Sequence, residues 1–279
     1  MLEDVPVPVR QAAFFDLDKT VIAKSSALAF GRQLFAEGLI NRRAVLKATY
    51  AQLVYLSPGA DDVQITKIRN HNTEMSAGWD VEQVRSIVAE TLHDVVDPLV
   101  YDEATELIAL HQQAGRDVVI VSTSGAEMVE PIGGLLGVDH VIATTMRIED
   151  GKFTGEVDFY AYGPAKAEAI SELAERRGYD LSECYAYSDS ASDIPMLEAV
   201  GHPTAVNPDK TLRALAMERG WPILAFTKGV SLRERFDQFS HRPSSVVAGT
   251  AGTAAAAAGV AWLAARRRRR GTVRRGGRP

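Results

Sequence analysis

The sequence has almost no cysteine, and its amino-terminal segment lacks the pattern of an export signal. Cys184 is the single cysteine among 279 residues, which excludes an intramolecular disulfide and fits a reducing compartment. Residues 1–11 contain two acidic residues and two prolines, with no basic stretch followed by an apolar one. We therefore expect the folded part of the chain to stay in the cytoplasm.

Acidic residues are absent after Asp237, and the end of the chain is strongly basic. Eight arginines lie in residues 266–278, so the rest of the chain, its acidic body, has a net charge considerably more negative than the -5 of the whole chain. An acidic body does not suit a nucleic-acid-binding domain, and we expect no specific nucleic-acid partner. The basic tail is a separate feature of the chain.

Residues 244–265 precede these arginines, contain no charged side chain and are rich in alanine. The segment is long enough to cross a bilayer, which takes roughly 20 residues. If it crossed, the arginines after it would have to leave the cytoplasm, against the positive-inside tendency. A helix lying in the membrane interface and a disordered low-complexity tail are the alternatives, and a polybasic end could contact an anionic membrane.

Apolar segments of strand length alternate with helical patterns through most of the chain, which predicts an α/β protein with a parallel sheet and helices on both faces. The predicted strands are Ala12–Phe15, Asp117–Val121, Val138–Thr144, Cys184–Tyr187, Thr204–Val206 and Pro222–Phe226. The predicted helices between them are Ala104–Ala114, Glu127–Leu136, Pro164–Arg177, Ile194–Val200 and Asp209–Arg219. Asp150-Gly151 predicts a hairpin within Met146–Tyr160.

The stretch from Ser25 to about Glu103 has helical patterns and no obvious strand, so it reads as an insertion after the first strand. Its predicted helices are Ala27–Glu37, Asn41–Leu56, Val63–Met75 and Val81–Leu92. We therefore predict a core of residues 1–23 and 104–235, an all-helical cap of residues 24–103, and a tail of residues 236–279.

Two aspartates stand where the first apolar strand ends. Asp16 and Asp18 follow the strand Ala12–Phe15, and acidic side chains have no packing reason to lie there. In open α/β sheets, ligands bind at the carboxyl ends of the strands. The pair therefore indicates a ligand site, and the alternative is a turn residue beside a helix cap.

Three further polar stretches follow a predicted strand or begin a helix. They are Ser122-Thr123, Lys166, and the run from Ser188 to Asp193 that contains Asp189. Each also has a structural alternative, since Ser122 and Asp193 could cap the helices that follow, and a lone lysine is usually on the surface. If all four stretches meet at one edge of the sheet, they form a single site.

Carboxylates that converge at such a site would repel an anionic phosphate. Like charges about 4 Å apart cost roughly 4 kcal/mol per pair at an effective dielectric constant of about 20. The set Asp16, Asp18, Asp189 and Asp193 would therefore require a divalent cation. Oxygen ligands and phosphate chemistry favour Mg²⁺ over Zn²⁺.

The four stretches, taken in order, resemble the four motifs of the haloacid dehalogenase superfamily of phosphohydrolases, and in particular its phosphoserine-phosphatase-like subgroup. The resemblance covers roughly residues 11 to 227 and rests on Asp16-Leu17-Asp18-Lys19-Thr20, Ser122, Lys166, and Asp189 with Asp193. It implies a Rossmann-like core with an inserted cap and a Mg²⁺-dependent phosphatase.

The resemblance also implies a role for each motif residue. Asp16 would be the nucleophile, Asp18 the general acid and base, and Lys166 the group that neutralises charge on the phosphate. The Mg²⁺ ligands would be the Asp16 and Asp189 side chains with the Asp18 backbone carbonyl. The other roles would be phosphate binding by Ser122 and the backbone around Thr123, support of the metal by Asp193, and a structural role for Thr20.

The substrate is less well determined than the chemistry. Phosphoserine phosphatases commonly have a glutamate nine residues after the nucleophile, for the substrate ammonium, and Ser25 stands at that position here. A small organic or lipid-like phosphate ester is therefore expected, with phosphoserine as one candidate. The alternatives are a membrane-tethered binding or regulatory protein with a vestigial site, and a phosphotransferase whose acceptor is not water.

Overall fold

The computed structural model describes residues 10–40 and 75–227. In this part of the chain, a seven-stranded sheet has helices packed on both of its faces. The predicted α/β class with a mainly parallel sheet is thereby confirmed. The bounds of the predicted core, cap and tail remain a prediction.

The sheet has the strand order β4-β3-β2-β1-β5-β6-β7, which places β1 in the centre. All neighbours are parallel except β3 and β4, which form an antiparallel hairpin. The strands are β1 (Ala12–Asp16), β2 (Asp117–Gly125), β3 (His140–Glu149), β4 (Lys152–Phe159), β5 (Tyr185–Ser188), β6 (His202–Val206) and β7 (Ile223–Leu224).

The helices pack on this sheet in two groups, one on each face. They are α1 (Ser26–Ala29), α2 (Gly31–Ala36), α3 (Val81–Val96), α4 (Asp102–Gln113), α5 (Ala126–Leu136), α6 (Pro164–Arg177), α7 (Ile194–Glu198) and α8 (Lys210–Arg219). Short 3-10 turns occupy Asp97–Leu99, Leu181–Glu183 and Ala191–Asp193.

Alternate residues of β1 enter the two apolar layers, as expected for a strand with both faces covered. Phe15 belongs to the layer formed with α1 to α5, whereas Phe14 belongs to the layer formed with α6, α7 and α8. All five residues of β1 are buried. The strand that carries Asp16 is therefore held from both sides, which fixes the position of its last residue.

Several predicted elements differ from the observed ones. The segment predicted as one helix over Ala27–Glu37 is helical but forms two short helices, which meet at the fully buried Phe30. Strand β2 continues to Gly125, with a register shift between Ser122 and Gly125 against β3. The predicted strand Val138–Thr144 and the first arm of the hairpin form one strand, β3.

The ends of the predicted cap contact the core directly. The backbone of Val81 donates to the Gly151 carbonyl at 3.0 Å, and Gly78 donates to Phe153 at 2.8 Å, so the chain before α3 pairs with the β3–β4 hairpin. The segments that enter and leave the cap pair with each other as well, since Ala23 donates to the Leu99 carbonyl at 2.8 Å.

Two of the predicted cap helices and the tail concern residues outside the described ranges. The helix Asn41–Leu56, most of Val63–Met75 and the alanine-rich segment of residues 244–265 fall there, so membrane contact by the tail stays a prediction. Within residues 10–40 and 75–227, no helix combines the length and the hydrophobicity that a membrane crossing requires.

His111 on α4 is a buried histidine whose surroundings keep it neutral. Burial and the neighbouring Arg116 guanidinium lower the pKa of His111 to about 3. Its Nε2 atom lies 2.8 Å from the Tyr187 hydroxyl, and its Nδ1 atom lies 3.4 Å from Nη1 of Arg116. Because arginine can only donate, Nδ1 is the accepting nitrogen and the proton is on Nε2.

We expect His111 to make the fold sensitive to acid. The unfolded chain takes up a proton at this residue near its ordinary pKa of about 6.5, whereas the folded protein does so only near 3. Stability is therefore lost as the pH falls from about 6.5 towards 3, by up to about 1.4 kcal/mol per pH unit.

Urea unfolding across this pH range tests the expectation. The variant His111→Gln should show a shallower pH dependence of the unfolding free energy than the wild type. An identical slope for His111→Gln would contradict the assignment.

Candidate active site

The sequence-predicted residues meet at the carboxyl ends of three neighbouring strands. Asp16 is the last residue of β1, Ser122 lies near the end of β2, and Ser188 is the last residue of β5. Because β2, β1 and β5 are adjacent and parallel, these ends lie side by side. Lys166 approaches from the first turn of α6.

Lys166 is buried between two carboxylates. Its Nζ atom donates to Oδ1 of Asp16 at 2.7 Å and to Oδ2 of Asp193 at 2.8 Å. The relative exposure is 1 % for Lys166, 6 % for Asp16 and 2 % for Asp193. The alternative of a surface lysine is therefore excluded. A buried ammonium is tolerated only when paired in this way.

The charges of this buried group influence each other strongly. Burial alone would lower the pKa of Lys166, but the charges of Asp16 and Asp193 outweigh it and raise that pKa. Burial raises the pKa of Asp16 well above its usual range, and Lys166 opposes this rise. The raised pKa of Lys166 keeps its ammonium charged, whereas the raised pKa of Asp16 favours the neutral carboxyl. The short charge-assisted contacts favour the charged form of both groups, which is the ion pair.

Asp193 is held by a second donor in addition to Lys166. The Ser188 hydroxyl donates to Oδ2 of Asp193 at 2.7 Å, and both residues are buried. Oδ1 of Asp193 is buried and has no hydrogen-bond partner among the described residues. Asp193 precedes α7 but makes no capping bond, so the capping alternative is excluded.

Asp189 extends the negative charge of the site. Burial raises the pKa of Asp189 to about 6; Lys19 lowers it, and Asp193 raises it further. Asp189 and Asp193 also act to raise the pKa of Asp16. The protein's own cations therefore leave the carboxylates of this site only partly compensated.

A tight turn after β1 orients Asp18. Lys19 has a φ of 63°, which is unusual for a residue with a side chain. Oδ1 of Asp18 accepts from the Ser26 backbone amide at 2.9 Å, and Oδ2 accepts from the Ser124 hydroxyl at 3.1 Å. The carboxylate is thus held on both oxygens.

Ser122 and Thr123 have different surroundings although they are adjacent. Ser122 is buried, and its Oγ accepts from the Ser124 backbone amide at 3.2 Å rather than capping α5. The Thr123 hydroxyl donates to the Ala161 carbonyl at 2.8 Å, so its side chain is engaged away from the strand ends. Thr20 is fully buried, and its hydroxyl has no partner among the described residues.

Sequence reasoning missed Ser26 and Ser124 at the site and gave no role to Ser188, although that residue lies in one of the predicted polar stretches. Ser26 and Ser124 contact Asp18, and Ser188 contacts Asp193. Serine is common in loops, so its presence alone carries little signal. Lys166 had one signal that could have been used, because a cation in the first turn of a helix opposes the macrodipole and requires nearby carboxylates.

The donor set is one that a hard divalent cation would take. It consists of oxygen atoms, includes the unpartnered Oδ1 of Asp193, and has excess negative charge. Residues 10–40 and 75–227 contain no group of three or more acidic, histidine or cysteine side chains placed to hold a metal. A site here would therefore need a backbone carbonyl in addition to two carboxylates.

Comparison with known families identifies the fold and its chemistry. The family of haloacid dehalogenase-like hydrolases matches residues 13–198, which include every site residue described above. The chain belongs to this family. The match to the haloacid dehalogenase (HAD) family covers the end of β1 with Asp16, the buried Lys166 and the segment with Asp189 and Asp193, so the polar stretches of the site lie within it.

Similar HAD proteins occur in actinobacteria. The chain is 62% identical over 262 residues to an "Inhibition of morphological differentiation protein" of Streptomyces azureus, covering 93% of this chain and 95% of the other. It is 63% identical over 226 residues to a probable phosphatase of Mycobacterium tuberculosis, covering 81% and 79%. A phosphoserine phosphatase of the same species is 35% identical over 270 residues, covering 95% and 83%.

Solved structures agree with the HAD fold. A protein of unknown function from Bordetella pertussis Tohama I is 26% identical with a TM-score of 0.69, covering 77% of this chain and 98% of the other. A substrate-bound phosphoserine phosphatase complex has a TM-score of 0.56 at 21% identity, covering 82% and 98%, which supports the fold alone. The protein is an enzyme of the HAD phosphatase type.

Proposed function

We propose that this HAD phosphatase hydrolyses phosphate monoesters through an aspartyl-phosphate on Asp16 and depends on Mg²⁺. The observation that carries the proposal is the buried Lys166, whose Nζ lies between the carboxylates of Asp16 and Asp193. A buried ion triad is costly to keep and weak evidence for stability, so its presence at the strand ends favours a catalytic role.

The residues of this chain divide the reaction between them. A carboxylate oxygen of Asp16 attacks phosphorus, the ester P–O bond breaks, and Asp18 gives its proton to the departing alkoxide. A water molecule then attacks phosphorus and loses a proton to Asp18. The bond between phosphorus and Asp16 breaks, which releases inorganic phosphate and restores the carboxylate. Lys166 stabilises the negative charge at Asp16 and on the phosphate throughout.

The Asp16 and Asp189 carboxylates and the Asp18 carbonyl would hold Mg²⁺, with Asp193 supporting them. When bound, the ion would offset the repulsion between these carboxylates and the anionic substrate and polarise the phosphoryl oxygens. Burial is the main cause of the raised pKa values of Asp16 and Asp189, but the charge of Asp193 raises both further, and this repulsion between carboxylates supports the assignment.

Ser122 and the backbone around Thr123 would hold the phosphoryl oxygens. Ser122 is buried at the end of β2, next to β1 and Asp16. The Thr123 hydroxyl is engaged with Ala161, so only its backbone would take part. Thr20 would have a structural role.

The substrate would be a small organic or lipid-like phosphate ester. A relative that shares 35% identity is named a phosphoserine phosphatase, which keeps phosphoserine among the candidates. Ser25 precedes α1 at the position where an acid would receive a substrate ammonium. Without that acid an ammonium would be unpaired in a closed site, so we rank phosphate esters without an amino group ahead of phosphoserine.

Phosphate release from a panel of amino-acid, sugar, head-group and lipid phosphates tests the proposal. We expect activity with Mg²⁺, a loss of about a hundredfold or more on chelation, and recovery when Mg²⁺ is restored. A rate that chelation leaves unchanged would contradict the metal dependence. Wild-type protein inert on the whole panel would favour a vestigial site, and a phosphorylated alcohol formed instead of inorganic phosphate would indicate a phosphotransferase.

A further inference from the structure

Asp18 is held by two serines whose partnership no motif predicts. Ser26 begins α1 and is fully buried, and Ser124 lies near the end of β2. The Ser26 amide donates to Oδ1 of Asp18 at 2.9 Å, while the Ser124 hydroxyl donates to Oδ2 at 3.1 Å. Both oxygens of one carboxylate are therefore engaged by different segments of the chain.

The two serines also contact each other. Their Oγ atoms lie 2.8 Å apart, and the Ser26 hydroxyl is the donor because that of Ser124 is directed at Asp18. The donors thus form a chain from Ser26 through Ser124 to Asp18. The Ser124 amide in turn donates to Oγ of Ser122 at 3.2 Å, which joins this chain to the residue assigned to phosphate binding.

We propose that Ser124, with its hydroxyl partner Ser26, is a positioning residue that holds Asp18 where it can reach both the leaving group and the attacking water. The proposal rests on the function proposed above. Only one of the two residues lies in the predicted core, since Ser26 is in the segment predicted as cap. The position of Asp18 therefore depends on how α1 packs against β2.

The physical reason is the short reach of aspartate. Its carboxylate has two rotatable bonds, and proton transfer requires heavy atoms about 2.6–3.2 Å apart. Asp18 is only partly buried and directly precedes a turn, so packing alone does not hold its rotamer. Removing the Ser124 hydroxyl frees one carboxylate oxygen and leaves the Ser26 hydroxyl without its acceptor.

Steady-state and single-turnover kinetics on two leaving groups test the role of Ser124. With an alkyl phosphate, whose alkoxide needs a proton, Ser124→Ala should lower kcat about tenfold while KM changes less than about twofold. With p-nitrophenyl phosphate, whose leaving group needs no proton, formation of the phosphoenzyme should be spared. A burst of p-nitrophenolate should therefore precede a slowed steady state.

Two companion variants and a control sharpen the test. Ser124→Thr keeps the hydroxyl and should restore kcat on the alkyl phosphate, whereas Ser26→Ala keeps the amide to Asp18 and should cause a smaller loss. Ser182→Ala is the matched control and should behave as wild type, because the Ser182 hydroxyl also donates to an aspartate, Asp180 at 2.6 Å, but before the amino end of β5 and so opposite the site.

Three outcomes would overturn the proposal. A Ser124→Ala protein with wild-type kcat on both substrates would exclude the positioning role. An equal loss of kcat on both substrates, with no burst of p-nitrophenolate and no recovery in Ser124→Thr, would exclude it as well. In both cases, phosphate release by the wild-type protein would still support the proposed function. Wild-type protein that releases no phosphate from any ester of the panel would overturn the proposed function and the positioning role together.

Discussion

Replacing Asp16 with asparagine is expected to lower phosphate release by at least about a thousandfold. An amide is a far weaker nucleophile than a carboxylate, and the covalent intermediate depends on that oxygen. The variant should still fold, because Lys166 keeps its contact with Asp193 and the neutral amide costs less to bury than the carboxylate. Phosphate release and the thermal unfolding midpoint, measured on the same preparations, test both statements.

The matched control for this exchange is Asp158→Asn on β4. Asp158 is exposed and pairs with Arg147 at 3.0 Å, so it presents the same chemical change outside the buried group of Asp16, Lys166 and Asp193. It should retain wild-type activity. An Asp16→Asn protein with more than about a tenth of the wild-type rate would exclude Asp16 as the nucleophile.

Replacing Lys166 with methionine is expected to reduce both activity and stability. The exchange leaves Asp16 and Asp193 buried without their shared cation, and breaking a buried ion pair in this way costs about 3 kcal/mol or more. The measurement is urea unfolding in the presence of a chelator, so that a metal ion cannot replace the ammonium. Phosphate release with Mg²⁺ should fall at least about a hundredfold.

A double variant separates the two effects. In Lys166→Met with Asp193→Asn, one of the unpaired carboxylates is removed, so part of the lost stability should return while activity stays low. Lys210→Met on the exposed end of α8 is the control and should change neither property. If Lys166→Met were as stable as the wild type, the ion triad would not be present in the folded protein.

Local sequence signals predicted some elements closely. Helix α6 has the predicted bounds, Pro164–Arg177, because proline suits the first turn and Gly178 ends the helix with a φ of 71°. Helix α5 likewise stops before Gly137, whose φ is 66°. In both cases the residue that ends the element acts through its own backbone, so neighbours in the sequence are enough to predict it.

Other elements depended on contacts that the local pattern does not contain. The helix predicted over Ala27–Glu37 divides at Phe30, directly before Gly31, which is a weak helix former. The strand predicted over Asp117–Val121 continues through polar residues to Gly125, because Ser122 and Gly125 pair with β3.

The sequence by itself determined the alternation of strands and helices, the acids at the end of β1 and the order of the motifs. These follow from periodicity and from residues within a few positions of one another. Only the tertiary structure decided the partners of each charge. Lys166 contacts Asp16 across 150 residues and Ser26 contacts Ser124 across 98, because the parallel order of β2, β1 and β5 brings these chain segments together. Lys166, which its sequence context alone would place on the surface, is therefore the central cation of the site, buried between Asp16 and Asp193.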